Sequence, residues 1–180
     1  MTDGFCRNPF TKLVEQEAVI ENYPELKSQV TALAREYGLE IAFDKGSETI
    51  KVIQSDKDGI SLVPYDSTAD TLQRIIFFKA AIASNNNSIL LFKEPEVHSF
   101  LPYISHVTQE MIYKKDNQFF VATHSPFILN DLLENVRDER AVFIVHYEGY
   151  ETEVRQLTGD ELHEVFQNGV DLFTNSESFI

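Results

Sequence analysis

Two short segments bring chargeable side chains to the ends of apolar runs. In the first, Ser88-Ile89-Leu90-Leu91-Phe92 runs into Lys93-Glu94-Pro95-Glu96. In the second, about thirty residues on, Phe119-Phe120-Val121-Ala122 runs into Thr123-His124-Ser125-Pro126. Each apolar run has the character of a buried β-strand, and the polar residues follow at its C-terminal end. Open α/β sheets place their ligand sites at that end. Carboxylates there are costly to bury unless they are paired, metal-bound or catalytic. A glutamate such as Glu94 can orient or deprotonate an attacking water; equally, Glu94 and Glu96 can cap a strand and open a solvated loop. His124 can donate a hydrogen bond to an anionic oxygen, or serve as a satisfied structural histidine. Pro126 suits the first turn of a following helix.

Other candidate chemistries lack their partners. Ser125 is not embedded in a Gly-x-Ser-x-Gly elbow, and no base-and-acid set accompanies it. His98 and His106 with Glu94 match no established zinc spacing. Asp56-Lys57-Asp58-Gly59 begins like a calcium loop, but the third ligand and the distal glutamate are missing, so it reads as a hairpin turn. Cys6 is the only cysteine, which excludes an intramolecular disulfide and a cysteine-based zinc site.

The elements that must position these residues follow from periodicity. Residues 1–22 read as a weak helical lead-in with Leu13, Val14, Ala18, Val19 and Ile20 as its apolar members. Pro24 to Tyr37 is a stronger helix, with Leu26, Val30, Leu33 and Tyr37 on one face and Gly38 as its stop. Leu39, Ile41 and Phe43 alternate with polar residues, as do Ile50 and Val52, across the turn Asp44-Lys45-Gly46-Ser47. That pattern predicts a hairpin, with a further strand at Ile60 to Val63. Beyond Pro64 the rhythm changes to helices at 70–84, 99–113, 126–135 and 159–167. These alternate with strands at 88–92, 118–122 and 141–147, an edge strand at 151–157 and a frayed tail. Such alternation predicts βαβ units and a parallel sheet with both faces covered. The expected organisation is an α+β lead-in over 1–63 and an α/β core over 64–180.

The composition is that of a packed domain: 180 residues, 43% hydrophobic, with 14 phenylalanines. Fifteen basic and 29 acidic residues give a net charge of −14, which disfavours direct nucleic-acid binding. No secretory pattern opens the chain and no apolar run approaches about 18 residues; no membrane role and a cytoplasmic location are expected.

Residues 88–130 resemble the ABC-type ATPases that are not transporters, the SMC-like and overcoming-lysogenization-defect-like groups. Those proteins carry an apolar strand, an acidic pair, Pro-Glu and a histidine-containing loop, then a Thr-His-Ser-Pro strand end. Here these are Ile89 to Phe92, Lys93-Glu94-Pro95-Glu96-Val97-His98, and Thr123 to Pro126. Upstream, Ser67-Thr68-Ala69-Asp70-Thr71-Leu72-Gln73-Arg74 stands where the signature motif opens its helix. The match covers roughly residues 60–147, and the earlier residues resemble the variable region inserted before that helix.

The resemblance implies a partial P-loop-NTPase sheet flanked by helices. In it, Glu94 polarises water and His124 is the switch histidine near the γ-phosphate. Val97 to Phe100 correspond to the loop facing a dimer partner, and Ala69, Asp70 and Thr71 meet nucleotide held by another subunit. Lys93 and Glu96 belong to the same nucleotide site. Lys93 stands where an acid helps hold magnesium, and either weakens the metal or pairs with Glu96. Ala69-Asp70-Thr71 replaces the Ser-x-Gly of the signature. No Gly-x-x-x-x-Gly-Lys-[Ser/Thr] phosphate loop occurs in these residues. The expectation is therefore a C-terminal lobe, as a fragment or truncated product, that is not competent alone. The resemblance implies ATP and Mg2+ as cofactors in a complete protein or complex, and none in this chain by itself. The partner would be the missing N-terminal lobe, a second ATPase subunit or a second copy. Proteins of this type are typically bacterial or phage ATPases in DNA maintenance, mobile elements or anti-phage defence. Two alternatives stand beside this: an inactive interaction or dimerisation module, and a metal-dependent nuclease using Glu94 and Glu96.

Overall fold

The computed structural model describes residues 20–47, 49–99, 101–136, 139–168 and 172–179. Cys6, Leu13, Val14, Ala18, Val19 and Phe100 lie outside them. Helix α1 (Pro24–Glu36) starts on its proline and buries Leu26, Val30, Leu33 and Ala34. It stops where Gly38 takes φ +69°, and the Gly38 and Leu39 N–H groups bond back to the Arg35 and Ala34 carbonyls. The predicted hairpin forms, within an antiparallel meander of β1 (Glu40–Asp44), β2 (Thr49–Asp56) and β3 (Gly59–Pro64). Asp44 shapes the first turn by accepting from the Gly46 N–H at 3.0 Å and the Ser47 hydroxyl at 2.6 Å.

A single 3-10 turn at Tyr65–Ser67 leads into α2 (Asp70–Ala83). This helix is apolar on two sides. Leu72, Ile75, Ile76 and Ala80 join Ile20, Leu26, Val30, Leu33, Ile50 and Tyr65 in one cluster, so the α+β lead-in packs directly onto the helix that opens the α/β part. Phe78 and Ile82 enter a second cluster with Phe92, Ile104, Val107, Met111 and Ile128.

That second cluster is a βαβ unit. Strand β4 (Ile89–Lys93) and strand β5 (Gln118–Ala122) pair in parallel through α3 (Leu101–Tyr113), with Ile89 opposite Gln118 and Lys93 opposite Ala122. Asn117 sets this register at the entry end. Its side-chain Oδ1 accepts from the Ser88 N–H at 3.0 Å, and its side-chain Nδ2 donates to the Asn85 carbonyl at 2.8 Å. Helix α4 (Pro126–Asn135) follows and touches two clusters, Ile128 in the second and Leu133 in a third. The third joins Leu162 and Val165 of helix α5 (Gly159–Asn168) to Leu157 and Leu172, with Ile144 of β6 (Phe143–Glu148) packed against it; β6 pairs antiparallel with β7 (Glu151–Gln156). Among the described residues no helix is long and apolar enough to cross a membrane.

Two expectations need correction. The parallel pair is covered on one face only. Leu90, Phe92, Phe119 and Val121 point into the second cluster, while Ile89 (62% exposed), Leu91 (72%) and Phe120 (48%) do not. Continuous apolar runs predicted two buried faces, but no described element packs on the outer one. Nor do the described tail residues, 172–179, fray. Leu172 is buried with Leu133, Leu157, Leu162 and Val165, Phe179 packs against them, and Arg155 donates to the Phe179 carbonyl.

Helix α5 opens on a capping box. The Thr158 hydroxyl and N–H both donate to the Glu161 carboxylate, at 2.9 and 2.8 Å, and Arg155 adds an ion pair at 2.5 Å. The Thr158 backbone bond, then the Arg155 and Thr158 side chains, hold the Glu161 carboxyl down at about 2. A folded-state value below the unfolded one adds stability above the unfolded carboxylate range, and that stability is lost as pH falls towards about 2. Glu161→Gln is expected to flatten this part of the stability–pH curve, measured by urea unfolding between pH 5 and 2.

Candidate active site

The level ends of β4 and β5 deliver both polar segments to one place. The Glu94 N–H extends the ladder by one bond, to the Ala122 carbonyl at 2.7 Å. The chain then turns sharply. Glu94 and His98 both occupy the left-handed region, at φ +46° and +60°, where a side chain other than glycine's is strained. Pro95 is buried between them, and the Val97 and Ser99 N–H groups bond to the Glu94 and Glu96 carbonyls at 3.1 and 2.9 Å.

Helix α2 holds both strained ends of this turn. The Arg74 guanidinium donates to the Glu94 carbonyl at 3.3 Å, and the Thr71 hydroxyl donates to the His98 carbonyl at 2.9 Å. Residues three apart lie on one helix face, so both reach the turn together. Burial lowers the Arg74 pKa from its ordinary value, and the charges of Asp70 and Glu96 oppose that shift.

Glu96 crosses from the turn to the other strand end. Its Oε1 accepts from the Thr123 hydroxyl at 2.9 Å and the His124 backbone N–H at 2.8 Å. Thr123 Oγ1 in turn accepts from the Ser125 N–H at 2.9 Å. The His124 imidazole is exposed and lies 6.5 Å from the Phe173 ring, centroid to centroid. Ser125 is only 5% exposed at the start of α4. Three buried atoms of this network, Arg74 Nε, Glu96 Oε2 and Ser125 Oγ, have no hydrogen-bond partner among the described residues. Buried polar groups are nearly always paired, and a concentration of exceptions marks a place to look for function.

Lys93 does not pair with Glu96. Its Nζ lies 3.8 Å from Glu94 Oε1, and its side chain is 83% exposed. The Glu96 carboxylate is turned across to Thr123 and His124 on the other strand end, and the adjacent Glu94 carboxylate is the one that Lys93 meets. An ion pair this exposed contributes about 0–1 kcal/mol.

Ala69, Asp70 and Thr71 form the opening of α2, beside the turn. Ala69 is extended and supplies no side-chain cap, and Asp70 sits in the first turn. His106 faces Tyr103 on α3, with ring centroids 6.3 Å apart. No group of three or more His, Cys, Asp or Glu side chains among the described residues could hold a metal ion.

Thr71, Arg74 and Thr123 are positioned here to support the turn and the loop. The resemblance places Thr71 at nucleotide and gives Arg74 and Thr123 no role of their own; none of the three is read as a support of the turn. The spacing of Thr71 and Arg74 was the available signal.

No protein-family model and no curated protein matches the chain. One solved chain, from work on the structural biochemistry of ATP-driven dimerization and DNA-stimulated activation of SMC ATPases, is similar over 89% of this chain and 96% of its own. The TM-score is 0.55 and the identity 12%. The fold is similar to that of an SMC ATPase. The likeness concerns the fold alone. The SMC-like fold, a parallel pair flanked by helices with antiparallel hairpins, agrees with the α/β class expected from the sequence.

The strain in the turn is testable. His98→Gly is expected to stabilise the chain by up to about 1 kcal/mol, because glycine adopts φ +60° without the Cβ penalty. The measurement is the urea midpoint; a fall would mean that the His98 side chain contributes more than its backbone costs.

Proposed function

We propose that this chain is the C-terminal part of an SMC-like ATPase. In this reading it contributes Glu94 and His124 to a nucleotide site that another lobe or subunit completes with a phosphate-binding loop. The observation that carries it is the in-register parallel pair, whose two ends are tied together by the Glu96 carboxylate. Glu94 would be the catalytic carboxylate, orienting or deprotonating the water that attacks the terminal phosphate. His124, exposed at the neighbouring strand end, would donate a hydrogen bond to a phosphate oxygen. The N–H groups opening α2, at Ala69 to Thr71, would meet phosphate across a subunit boundary.

The described residues do not form a complete Mg2+ site by themselves. They offer no group of three ligating side chains, and a lysine ammonium stands beside Glu94. The metal and the phosphate cradle therefore belong to the completing lobe in this reading, and no step here runs through the metal.

The open face of the parallel pair supports a covering partner. Ile89, Leu91 and Phe120 are exposed there; on the separate β6–β7 pair, Phe143, Val145 and Tyr147 are exposed as well. Exposed apolar surface of this kind marks interaction sites. The solved SMC ATPase is described as dimerising under ATP; a second subunit or second copy of this chain is the corresponding partner here. The exposed apolar face and Lys93 also favour a second reading, an inactive interaction or dimerisation module.

Calorimetry separates these. MgATP added to this chain alone is expected to give no binding heat, and tight binding would overturn the dependence on a second lobe. In a protein containing both lobes, Glu94→Gln is expected to lower kcat by about 100-fold or more. Absent or unchanged hydrolysis would favour the interaction module. Lys93→Asp is expected to steepen the magnesium dependence of nucleotide binding in the same protein. No change would mean that position 93 does not face the metal.

A further inference from the structure

Between β5 and α4 the N–H groups of His124 and Ser125 bond to side chains, and Glu96 stands at the centre of that arrangement. Its Oε1 takes the His124 N–H at 2.8 Å and the Thr123 hydroxyl at 2.9 Å. The Thr123 hydroxyl oxygen, having donated to Glu96, accepts from the Ser125 N–H at 2.9 Å. A hydroxyl has one donor and two acceptor positions, so both bonds coexist. One carboxylate oxygen thereby organises the donors of three consecutive residues. Glu96 is itself fixed, because the turn that carries it is held at Glu94 by Arg74 and at His98 by Thr71. The linkage runs from α2 to the Glu94–His98 turn, through Glu96, to the backbone of His124.

We propose that Glu96 is the positioning residue of this site: its carboxylate clamps the Thr123–Ser125 loop so that His124 and Glu94 are held as one rigid unit anchored on α2. A hydrogen bond to a charged acceptor is about twice as strong as a neutral one, which suits a single carboxylate to restraining a loop without regular structure. The consequence for nucleotide rests on the ATPase reading above; the clamp does not.

Native-state amide exchange by NMR on the full 180-residue chain tests it. Glu96→Ala is expected to speed exchange at His124 and Ser125 by about tenfold or more. The Glu94 amide, bonded to the Ala122 carbonyl, should keep its rate. Glu96→Gln retains the accepting oxygen and should restore His124 towards the parent rate. The His124 ring signals should lose the shift caused by the nearby Phe173 ring in Glu96→Ala and keep it in Glu96→Gln. If Glu96→Ala does not fold, Thr123→Val, which lacks the hydroxyl, should release the Ser125 amide. Unchanged exchange at His124 in Glu96→Ala, or in its place at Ser125 in Thr123→Val, overturns the clamp. So does a uniform rise across β4 and β5. If the clamp is found while the nucleotide tests fail, the ATPase reading falls and the clamp stands; the opposite pair of results removes the clamp alone.

Discussion

Burial of α2 on two sides is the constraint on which the rest of the chain depends. Leu72, Ile75, Ile76 and Ala80 pack towards α1 and β2, while Phe78 and Ile82 pack towards β4, α3 and α4. Such a helix has little freedom to shift or roll, because either movement would open a cavity on one side and overpack the other. It even buries Lys79, whose ammonium meets Glu110 on α3 at 2.5 Å. A buried ion pair adds little net stability, but losing one partner leaves a charge stranded, so the pair penalises any other placement of α2 against α3.

A helix fixed in this way can hold a strained neighbour. Non-glycine residues at positive φ persist only where the surroundings over-determine them. Glu94 and His98 bracket one tight turn, and the carbonyl of each accepts a bond from the first turns of α2. The parallel register supplies the second fixed point, since Lys93 opposite Ala122 brings the Glu94 turn and the His124 loop to the same height. Three rigid pieces thus converge on one small region, and three buried atoms without a hydrogen-bond partner among the described residues, Arg74 Nε, Glu96 Oε2 and Ser125 Oγ, belong to its network. Open α/β sheets bind their ligands at the carboxyl ends of their strands, and this arrangement is at that end.

Much of this was legible in the chain. Helical spacing located α1, α2 and α4 to within a residue or two, because an apolar stripe and a proline or glycine boundary are local properties. The turns at Asp44 and Asp56 were legible for the same reason. The open face was not. Ile89, Leu91 and Phe120 are as apolar as their inward neighbours, and periodicity reports that a side chain is apolar without reporting what covers it. The packed tail was missed because Leu172 and Phe179 are isolated apolar residues whose partners lie on α4, α5 and the strand end at Leu157.

The sequence by itself determined the element order, the α/β class and the two strand ends that carry Glu94 and His124, since each rests on residues close together in the chain. Only the tertiary structure decided how those ends are joined. Glu96 meets Thr123 and His124 across 27 and 28 positions, Arg74 meets Glu94 across 20, and Thr71 meets His98 across 27. Spacing along the chain says nothing about such bonds, because they depend on where the packing of α2 and the register of β4 and β5 bring the donors and acceptors. The same packing sets Lys93 beside Glu94 rather than Glu96, because the Glu96 carboxylate is turned across to Thr123 and His124.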